Sequence, residues 1–447
     1  MKWLVLLAVG IGTFMSALDA SVVNTILPVI RDQFGSDLAS VEWVVVVYLL
    51  VVSGLLLTFG RLGDLRGHKT IYLAGFLIFV TASAVCGLAP AVGFLVAARA
   101  VQALGAAMLF ANSPAILTEA FPPAQRGQAL GLQATMTYLG LTAGPALGGW
   151  LAQSLGWRAV FYINVPVGLL AFGLSLAYIA RDRPAENGGR FDLGGAFLFT
   201  AGLVALLLGL NQGNAWGWGS PAVLGCLVGA VALLAAFLVV ESRVLSPMLD
   251  LSLFRIRLFS ASTASAFLNY IAISNITFLM PFYLLQGRGY SPSEAGLLLT
   301  GQSLIMAVVA PLSGSLSDRI GSRLLSTLGM AIMAVGMVLL ASLGPTSSIL
   351  SILLALAVAG LGTGMFISPN TSALLGSAPP QRRGIASGIL ATARNVGQAL
   401  GVGLGGAFLS GALAGGGSAA VFGGVSQGFT VAAIIAGVGA VVSFTRQ

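Results

Sequence analysis

The sequence predicts an all-α polytopic membrane protein, built from two six-helix bundles and two inserted transmembrane helices, with fourteen spans in total. Three observations lead to this fold class: the composition, the number of long apolar stretches and an internal repeat. Of the 447 residues, 57% are hydrophobic and 8% are charged, and the mean hydropathy is +0.97. Soluble domains carry about 25% charged residues, so this composition excludes a soluble fold of this size.

Long apolar stretches set the predicted spans, because a helix needs about 20 mostly apolar residues to cross a membrane. The first stretch continues to Ile30, which is too long for a signal-peptide core, so we expect a retained helix. Fourteen stretches are long enough: 3–30, 41–60, 70–89, 92–118, 128–153, 158–180, 192–211, 222–240, 258–286, 294–316, 324–343, 348–376, 385–412 and 427–445.

The positive charges predict the orientation. With a cytoplasmic N-terminus, 16 of the 21 Lys and Arg residues fall in cytoplasmic segments, and only Arg31, Arg158 and Arg288 fall in outer ones. This bias follows the positive-inside rule. We therefore expect a multi-pass protein of the cytoplasmic (inner) membrane with both termini in the cytoplasm. The net charge of +8 is then a topology signal and does not indicate a nucleic-acid partner.

An internal repeat predicts two halves of the same orientation. The segment 126–131 resembles 383–388, an offset of 257, and four glycines of the fifth span recur at that offset. The pattern Gly60, Asp64, Gly67 recurs as Gly314, Asp318, Gly321 at an offset of 254. We expect an N-terminal bundle at 1–180, two extra helices with linkers at 181–257, and a C-terminal bundle at 258–447. Transporters with such repeats bind substrate between the halves.

Asp19 is a carboxylate inside the first apolar span, where burying an unpaired charge costs at least about 2.5–3.5 kcal/mol. Arg99, in the fourth span, lies at a depth compatible with an ion pair. Pairing would keep Asp19 ionised, whereas a cavity without the pair would favour its protonation. Switching between these states would couple the protein to protons. The alternative is a static buried ion pair that only orients helices.

The turn at 60–69 between spans two and three combines glycines with a lone acid. Asp64 can accept from a helix N-terminus, which predicts a latch that breaks when the helices rock. The alternative is a basic anchor set by topology, and His68 is expected at the loop surface. The predicted latch residues are Gly60, Arg61, Gly63, Asp64, Arg66, Gly67, Lys69 and the repeated Asp318.

A small-residue ridge in the fifth span allows close, sliding helix contact, and a proline bends the span. The alternative is simple tight packing. The ridge consists of Gly140, Gly144, Pro145, Gly148 and Gly149.

Polar and aromatic side chains near the inferred midplane are candidates to line a substrate cavity, although each of them is also compatible with ordinary packing. Arg394 can meet an anionic part of a substrate, a lipid headgroup or helix C-termini. The candidates are Asn24, Gln102, Phe110, Tyr138, Tyr270, Asn275, Phe278, Phe282, Phe366 and Arg394.

These motifs together resemble the major facilitator superfamily. The 60–69 turn resembles its loop signature, Arg99-x2-Gln102-x2-Gly105 its fourth-helix motif, and 140–149 its antiporter motif. The segments 18–28 and 157–166 resemble the fourteen-helix drug:proton antiporters of the EmrB/QacA type. The resemblance implies that Asp19 is a protonation site tuned by Arg99, that the turn stabilises the outward-facing state, and that spans seven and eight are an inserted pair.

One departure from that family bears on the substrate. Members that extrude cations carry further acids in later helices, and none is visible here. Monovalent, zwitterionic, neutral or lipid-like substrates are therefore favoured over multivalent cations.

The predicted function is proton-coupled export of amphipathic small molecules such as drugs, dyes and antibiotics, by alternating access. A lipid or glycolipid flippase of the same fold is the alternative. The sequence has no HExxH, P-loop or GxSxG motif, so we expect no enzyme activity. We expect no metal and no cofactor other than the proton gradient. The expected partners are substrate, protons and the bilayer, and the protein is expected to act as a monomer.

Overall fold

The computed structural model describes residues 2–36, 38–181, 191–217, 219–244, 249, 251–290, 292–413 and 418–446, and all regular structure in them is helical. Tight turns separate some helices: Gly67 and Gly321 adopt φ of 98° and 89°, a region that favours glycine. The α-helices are α1 (Lys2–Phe34), α2 (Leu38–Arg66), α3 (His68–Gly87), α4 (Val92–Ala120), α5 (Arg126–Ser154), α6 (Ala159–Tyr162), α7 (Asn164–Tyr178), α8 (Leu193–Trp216), α9 (Pro221–Glu241), α10 (Arg257–Pro281), α11 (Pro292–Ile320), α12 (Ser322–Ala341), α13 (Ile349–Ser377), α14 (Arg383–Leu413) and α15 (Ser418–Phe444).

The number of membrane spans corrects the prediction. Within the described residues, twelve helices are long and apolar enough to cross a membrane, so the predicted count of fourteen is wrong. The predicted stretches 128–153 and 385–412 form α5 and α14, which are long but are not among the twelve. Both helices mix glycines with polar residues such as Gln133 and Arg394. A criterion based on length alone counted these two stretches as membrane spans.

The helices form two groups that meet along two interfaces. Helices α1 to α7 pack on one another, as do α10 to α15, and the halves meet where α5 packs on α11 and where α2 packs on α14. Helices α8 and α9 pack together, and α8 also contacts α2 and α14. The proposed domain boundaries near 180 and 258 stay a prediction.

Glycine contacts show that the two halves pack alike. A Cβ on Gly105 of α4 would lie 2.5 Å from the Phe79 backbone nitrogen of α3. Its repeat, Gly362 of α13, faces the backbone of Met333 in α12 in the same manner. Such close approach needs small residues. The repeat seen in the sequence is therefore a repeat of helix packing.

Candidate functional site

The ionic centre of the first half joins α1 to α4. The Asp19 carboxylate accepts a hydrogen bond of 2.6 Å from Arg99 Nη1 on Oδ2, and the residues are each 1% exposed. Its Oδ1 accepts from Gln102 Nε2 at 3.1 Å and from Asn164 Nδ2 at 2.8 Å. The structure thus brings together the two residues that sequence analysis had paired by depth.

A second layer of polar contacts encloses this pair. Ser83 Oγ accepts from Gln102 Nε2 at 3.2 Å and from Asn164 Nδ2 at 3.0 Å. Arg99 donates to Gln102 Oε1 at 2.8 Å and to the Val44 carbonyl at 3.3 Å. We call Asp19, Ser83, Arg99, Gln102 and Asn164 the Asp19 cluster. All five are buried, so the cluster is sealed in this conformation.

The hydrogen-bond pattern defines the charge state of the cluster. Every group that contacts the Asp19 carboxylate within hydrogen-bond distance is an N–H donor, and an ionised carboxylate only accepts. The guanidinium of Arg99 also lies 4.1 Å from the centre of the Tyr48 ring, which adds a cation–π contact. This conformation therefore holds Asp19 ionised, with its charge balanced by Arg99.

Two carboxylates join the halves at the end of the molecule that carries the 60–69 turn. Asp64 of α2 accepts from the backbone N–H groups of Gly384 at 2.7 Å and Ile385 at 2.8 Å, at the start of α14. Asp318 of α11 accepts from Gly127 at 2.9 Å and from the N–H of residue 128 at 3.1 Å, at the start of α5. A helix N-terminus favours negative charge. We call these contacts the two latches, and both are closed.

The remaining residues of the turn have different surroundings. A side chain on Gly60 would collide with the Gly384 carbonyl, so this glycine permits the first latch to close. Lys69 donates from Nζ to the Leu176 and Ile179 carbonyls at 2.8 and 2.7 Å, at the end of α7. Arg66 is exposed and Arg61 is half-buried. The structure therefore places Gly60 and Asp64 at the interface between the halves, whereas Gly63, which faces Asn112, and Lys69 make contacts within the first half.

His68 is buried, whereas sequence analysis had placed it at the loop surface. Its Nε2 lies 3.4 Å from Asp64 Oδ1, and its Nδ1 lies 2.8 Å from Asn112 Oδ1. Helix α3 begins at His68 directly after Gly67, and the turn directs the ring inward. His68 thus supports the carboxylate of the first latch.

The glycine ridge of α5 packs against α1. A Cβ on Gly140 would lie 2.6 Å from the Phe14 carbonyl oxygen, and one on Gly144 would lie 2.5 Å from Ser21. Gly148 faces Val22 in the same way, whereas nothing lies within 4 Å of a Cβ on Gly149. The side chain of Pro145 lies outside the described residues. Three of the four glycines of the ridge therefore allow α5 to approach α1 closely, within the first half.

A central cavity lies between the halves, with a volume of about 720 Å³ including its open mouth. Four predicted lining residues face it: Phe110, Tyr138, Tyr270 and Arg394. Gln102 belongs to the Asp19 cluster instead. The other five are elsewhere: Phe366 and Asn275 are buried in the second half, Phe278 and Phe282 pack on each other with ring centres 5.2 Å apart, and Asn24 is exposed.

Sequence reasoning missed Ser83, Tyr48 and Asn164 as parts of the ionic centre. Asn164 lies inside the 157–166 segment, and Ser83 is a small polar residue in an apolar span. Each is compatible with ordinary packing until the rotation of its helix is known. A search for polar residues at the inferred depth of Asp19 would have found both.

Comparison with known proteins decides the family. The model of the Major Facilitator Superfamily matches residues 9–193 and 263–447. This chain belongs to the Major Facilitator Superfamily. The two matched segments cover the two halves defined by helix packing. Membership makes it a multi-pass membrane transporter, and the narrower resemblance to fourteen-helix antiporters is not confirmed.

Curated relatives of this superfamily member are transporters. The riboflavin transporter RibZ of Clostridioides difficile is 35% identical over 401 residues, covering 90% of this chain and 86% of that protein. The multidrug resistance protein Stp of Mycobacterium tuberculosis is 36% identical over 399 residues, covering 89% and 74%. The tetracenomycin C resistance and export protein of Streptomyces glaucescens is 34% identical, with the same coverage.

Solved structures show the same fold at low identity. The human organic anion transporter MFSD10 (TETRAN) superposes with a TM-score of 0.70 at 15% identity, covering 97% of this chain and 99% of that one. The proton:xylose symporter XylE gives a TM-score of 0.64 at 16% identity, covering 97% and 94%. These likenesses support the fold alone.

Proposed function

We propose that this transporter is a proton-coupled antiporter that exports amphipathic small molecules by alternating access, as a member of the drug:proton antiporter branch of its superfamily. The observation that carries the proposal is the ionised, sealed Asp19–Arg99 pair inside the first half of a protein that also has a cavity between its halves. Ionisable residues at membrane depth mark ion and proton pathways. The export named for the Streptomyces glaucescens relative agrees with this direction of transport.

The protein lies in a bacterial inner membrane with both termini on the cytoplasmic side. In the proposed cycle, the two latches close the cytoplasmic end. A proton from outside reaches Asp19 and neutralises it, which removes its attraction for Arg99. The cluster then rearranges, the latches open, and the proton is released inside as substrate enters the cavity. Reforming the ion pair closes the latches again around the bound substrate.

The energy supplied by this coupling is enough for useful export. One pH unit corresponds to about 1.4 kcal/mol per proton, which is about a tenfold concentration ratio of a neutral substrate at one proton per cycle. Proton flux is therefore the quantity to measure.

The experiment reconstitutes the protein in liposomes that contain a pH-sensitive dye, and adds ethidium, anthracene-2-carboxylate or riboflavin. We expect at least one of the three to trigger proton movement in the wild type, and Asp19→Asn to abolish it. The matched control is Asp32→Asn, an exposed acid of the same helix that pairs with Arg31 at 2.8 Å. Unchanged proton movement in Asp19→Asn would refute the proposal.

A second candidate substrate is a riboflavin-like vitamin, favoured by the 35% identity with RibZ over 90% of this chain. The same assay separates the two candidates. Proton movement triggered by riboflavin alone would favour the vitamin, and movement triggered by the other compounds would favour general export.

A further inference from the structure

The lining of the central cavity is symmetric in position but not in charge. Phe110 and Ile367 are related by the repeat offset of 257, as are Ala134 and Ala391, and all four line the cavity. Thr137 and Arg394 are a third such pair. The cavity therefore lies across the pseudo-twofold axis that relates the halves. Arg394 introduces a charge where the first half has a neutral hydroxyl.

No acid accompanies that charge. The lining of the cavity contains Arg394 as its charged residue and no Asp or Glu. In the part of the chain that the structure describes, the guanidinium forms no ion pair within 4.0 Å. Its hydrogen-bond partner is neutral: the Asn395 amide oxygen accepts from Nε at 3.3 Å. Asp19, the buried acid of the first half, is engaged by Arg99.

A half-buried cation without a carboxylate partner has lost part of its hydration, which is costly. A ligand that brings one negative charge would remove that cost, and a carboxylate matches the planar fork of a guanidinium in two hydrogen bonds. A cationic ligand would add a second positive charge and be repelled. The lining thus discriminates by the sign of the ligand's charge.

Aromatic rings surround the same cation. The carbon centre of the guanidinium lies 5.7 Å from the centre of the Phe110 ring, and Tyr138 and Tyr270 line the cavity beside it. Aromatic side chains bind flat ring systems by offset or edge contacts. The other lining residues are short polar or aliphatic side chains, which supply no second charge.

We infer that the central cavity selects flat aromatic molecules that carry a single negative charge, and that Arg394 is the residue that determines this selectivity. The inference rests on the proposed function, because it names the class of substrate that the proposed exporter carries.

The test is equilibrium binding to the purified full-length protein, using three probes with one ring system. Anthracene-2-carboxylate, anthracen-2-ylmethanol and anthracen-2-ylmethylammonium carry charges of −1, 0 and +1. We expect the wild type to bind the carboxylate at least tenfold more tightly than the ammonium compound. Arg394→Gln should weaken carboxylate binding about 10- to 100-fold, the range for a charge-assisted contact. Its binding of the neutral alcohol should persist, which shows that the cavity is intact.

Two further variants control this experiment. Arg394→Lys keeps the charge and should retain the anion preference with reduced affinity. Arg31→Gln removes an exposed arginine from α1 and should bind all three probes as the wild type does. Equal binding of the charged probes by the wild type, or an anion preference that survives Arg394→Gln, would overturn the inference.

Binding without a gradient does not depend on proton coupling, so the two proposals fail separately. If Asp19→Asn kept proton-driven transport while the carboxylate preference held, only the proposed coupling would fall. If the preference were absent while Asp19→Asn blocked proton movement, only the substrate class would fall.

Discussion

In both halves the first helix packs against a glycine ridge, yet the residues beside that contact differ in kind. Gly140 faces Phe14 and Leu18 of α1, and Gly397 faces Phe267 and Ile271 of α10, an offset of 253 between the partner helices. The same offset relates Asp19 to Ala272, which is fully buried. The structure therefore defines an apolar counterpart of the proposed proton site.

Three of the other four cluster members have apolar counterparts as well. The offsets read from the glycine contacts of the remaining helices relate Arg99 to Leu356, Gln102 to Ala359 and Ser83 to Met337. These three counterparts are at most 1% exposed. At these positions the second half thus achieves the same helix packing with apolar side chains. This comparison teaches that the fold does not need the buried ion pair, which favours a functional role over the static alternative.

The largest expected effect on stability comes from replacing Arg99 with leucine, the residue at the corresponding position of the second half. Arg99→Leu leaves the Asp19 carboxylate buried without its counter-charge, and breaking a buried pair in this way costs about 3–5 kcal/mol. We expect a clear fall in the thermal unfolding temperature of the protein in detergent micelles. The double variant Asp19→Ala with Arg99→Leu should regain most of that loss but not transport. A double variant less stable than Arg99→Leu would contradict the comparison.

The glycine ridges should respond alike in the two halves, because their contacts are alike. Gly140→Ala and Gly397→Ala would each press a methyl group against a backbone carbonyl, at 2.6 and 2.7 Å. Overpacking of this kind costs about 1–3 kcal/mol. Unfolding temperature is again the measurement. Gly149→Ala is the control, since its methyl group would meet open space, and an equal loss in that variant would argue against the packing explanation.

The two latches are expected to be similar but unequal. Asp64→Asn and Asp318→Asn each remove a charge from a helix N-terminus, worth up to about 2 kcal/mol. Asp64 also contacts His68, so Asp64→Asn weakens one contact more than Asp318→Asn and should open this end of the molecule more. Spin-label distances between positions 66 and 381 report the first latch, and distances between 124 and 319 report the second. Longer distances in Asp318→Asn than in Asp64→Asn would reverse the expected order.

The smallest expected effect comes from replacing His68, which lies beside the first latch and has no histidine counterpart beside the second. His68 corresponds to Ser322 at the offset of 254. His68→Ser should weaken the first latch by about 1 kcal/mol, the typical net value of a hydrogen bond. The 66–381 distance should therefore change less than in Asp64→Asn, and the 124–319 distance should not change. A change confined to the second latch would show that His68 acts elsewhere.

The sequence predicted features that depend on regular helical rise. The depths of Asp19 and Arg99 follow from 1.5 Å per residue, and the two side chains do meet. The repeat likewise located both latch carboxylates, because turns and their glycines are local. All of these positions depend on distance along one helix and not on how neighbouring helices are rotated.

The features that the sequence did not predict depend on how each helix is rotated about its axis and on the residue composition of two helices. Asn164 and Ser83 reach Asp19 because their helices present those faces inward, which one sequence does not determine. Phe366 and Asn275 face the core and not the cavity for the same reason. The span count failed because a length criterion ignores the glycines and polar residues of α5 and α14.

The claim that Asp19 couples transport to protons is tested most directly by measuring how Asp19→Asn moves a compound against and down its concentration gradient. Liposomes are loaded with a compound that the wild type transports, and its movement is followed with and without an imposed pH gradient. The account predicts that Asp19→Asn still equilibrates the compound down its own gradient but no longer accumulates it against one, whereas Asp32→Asn does both. Accumulation against a gradient by Asp19→Asn would contradict the account.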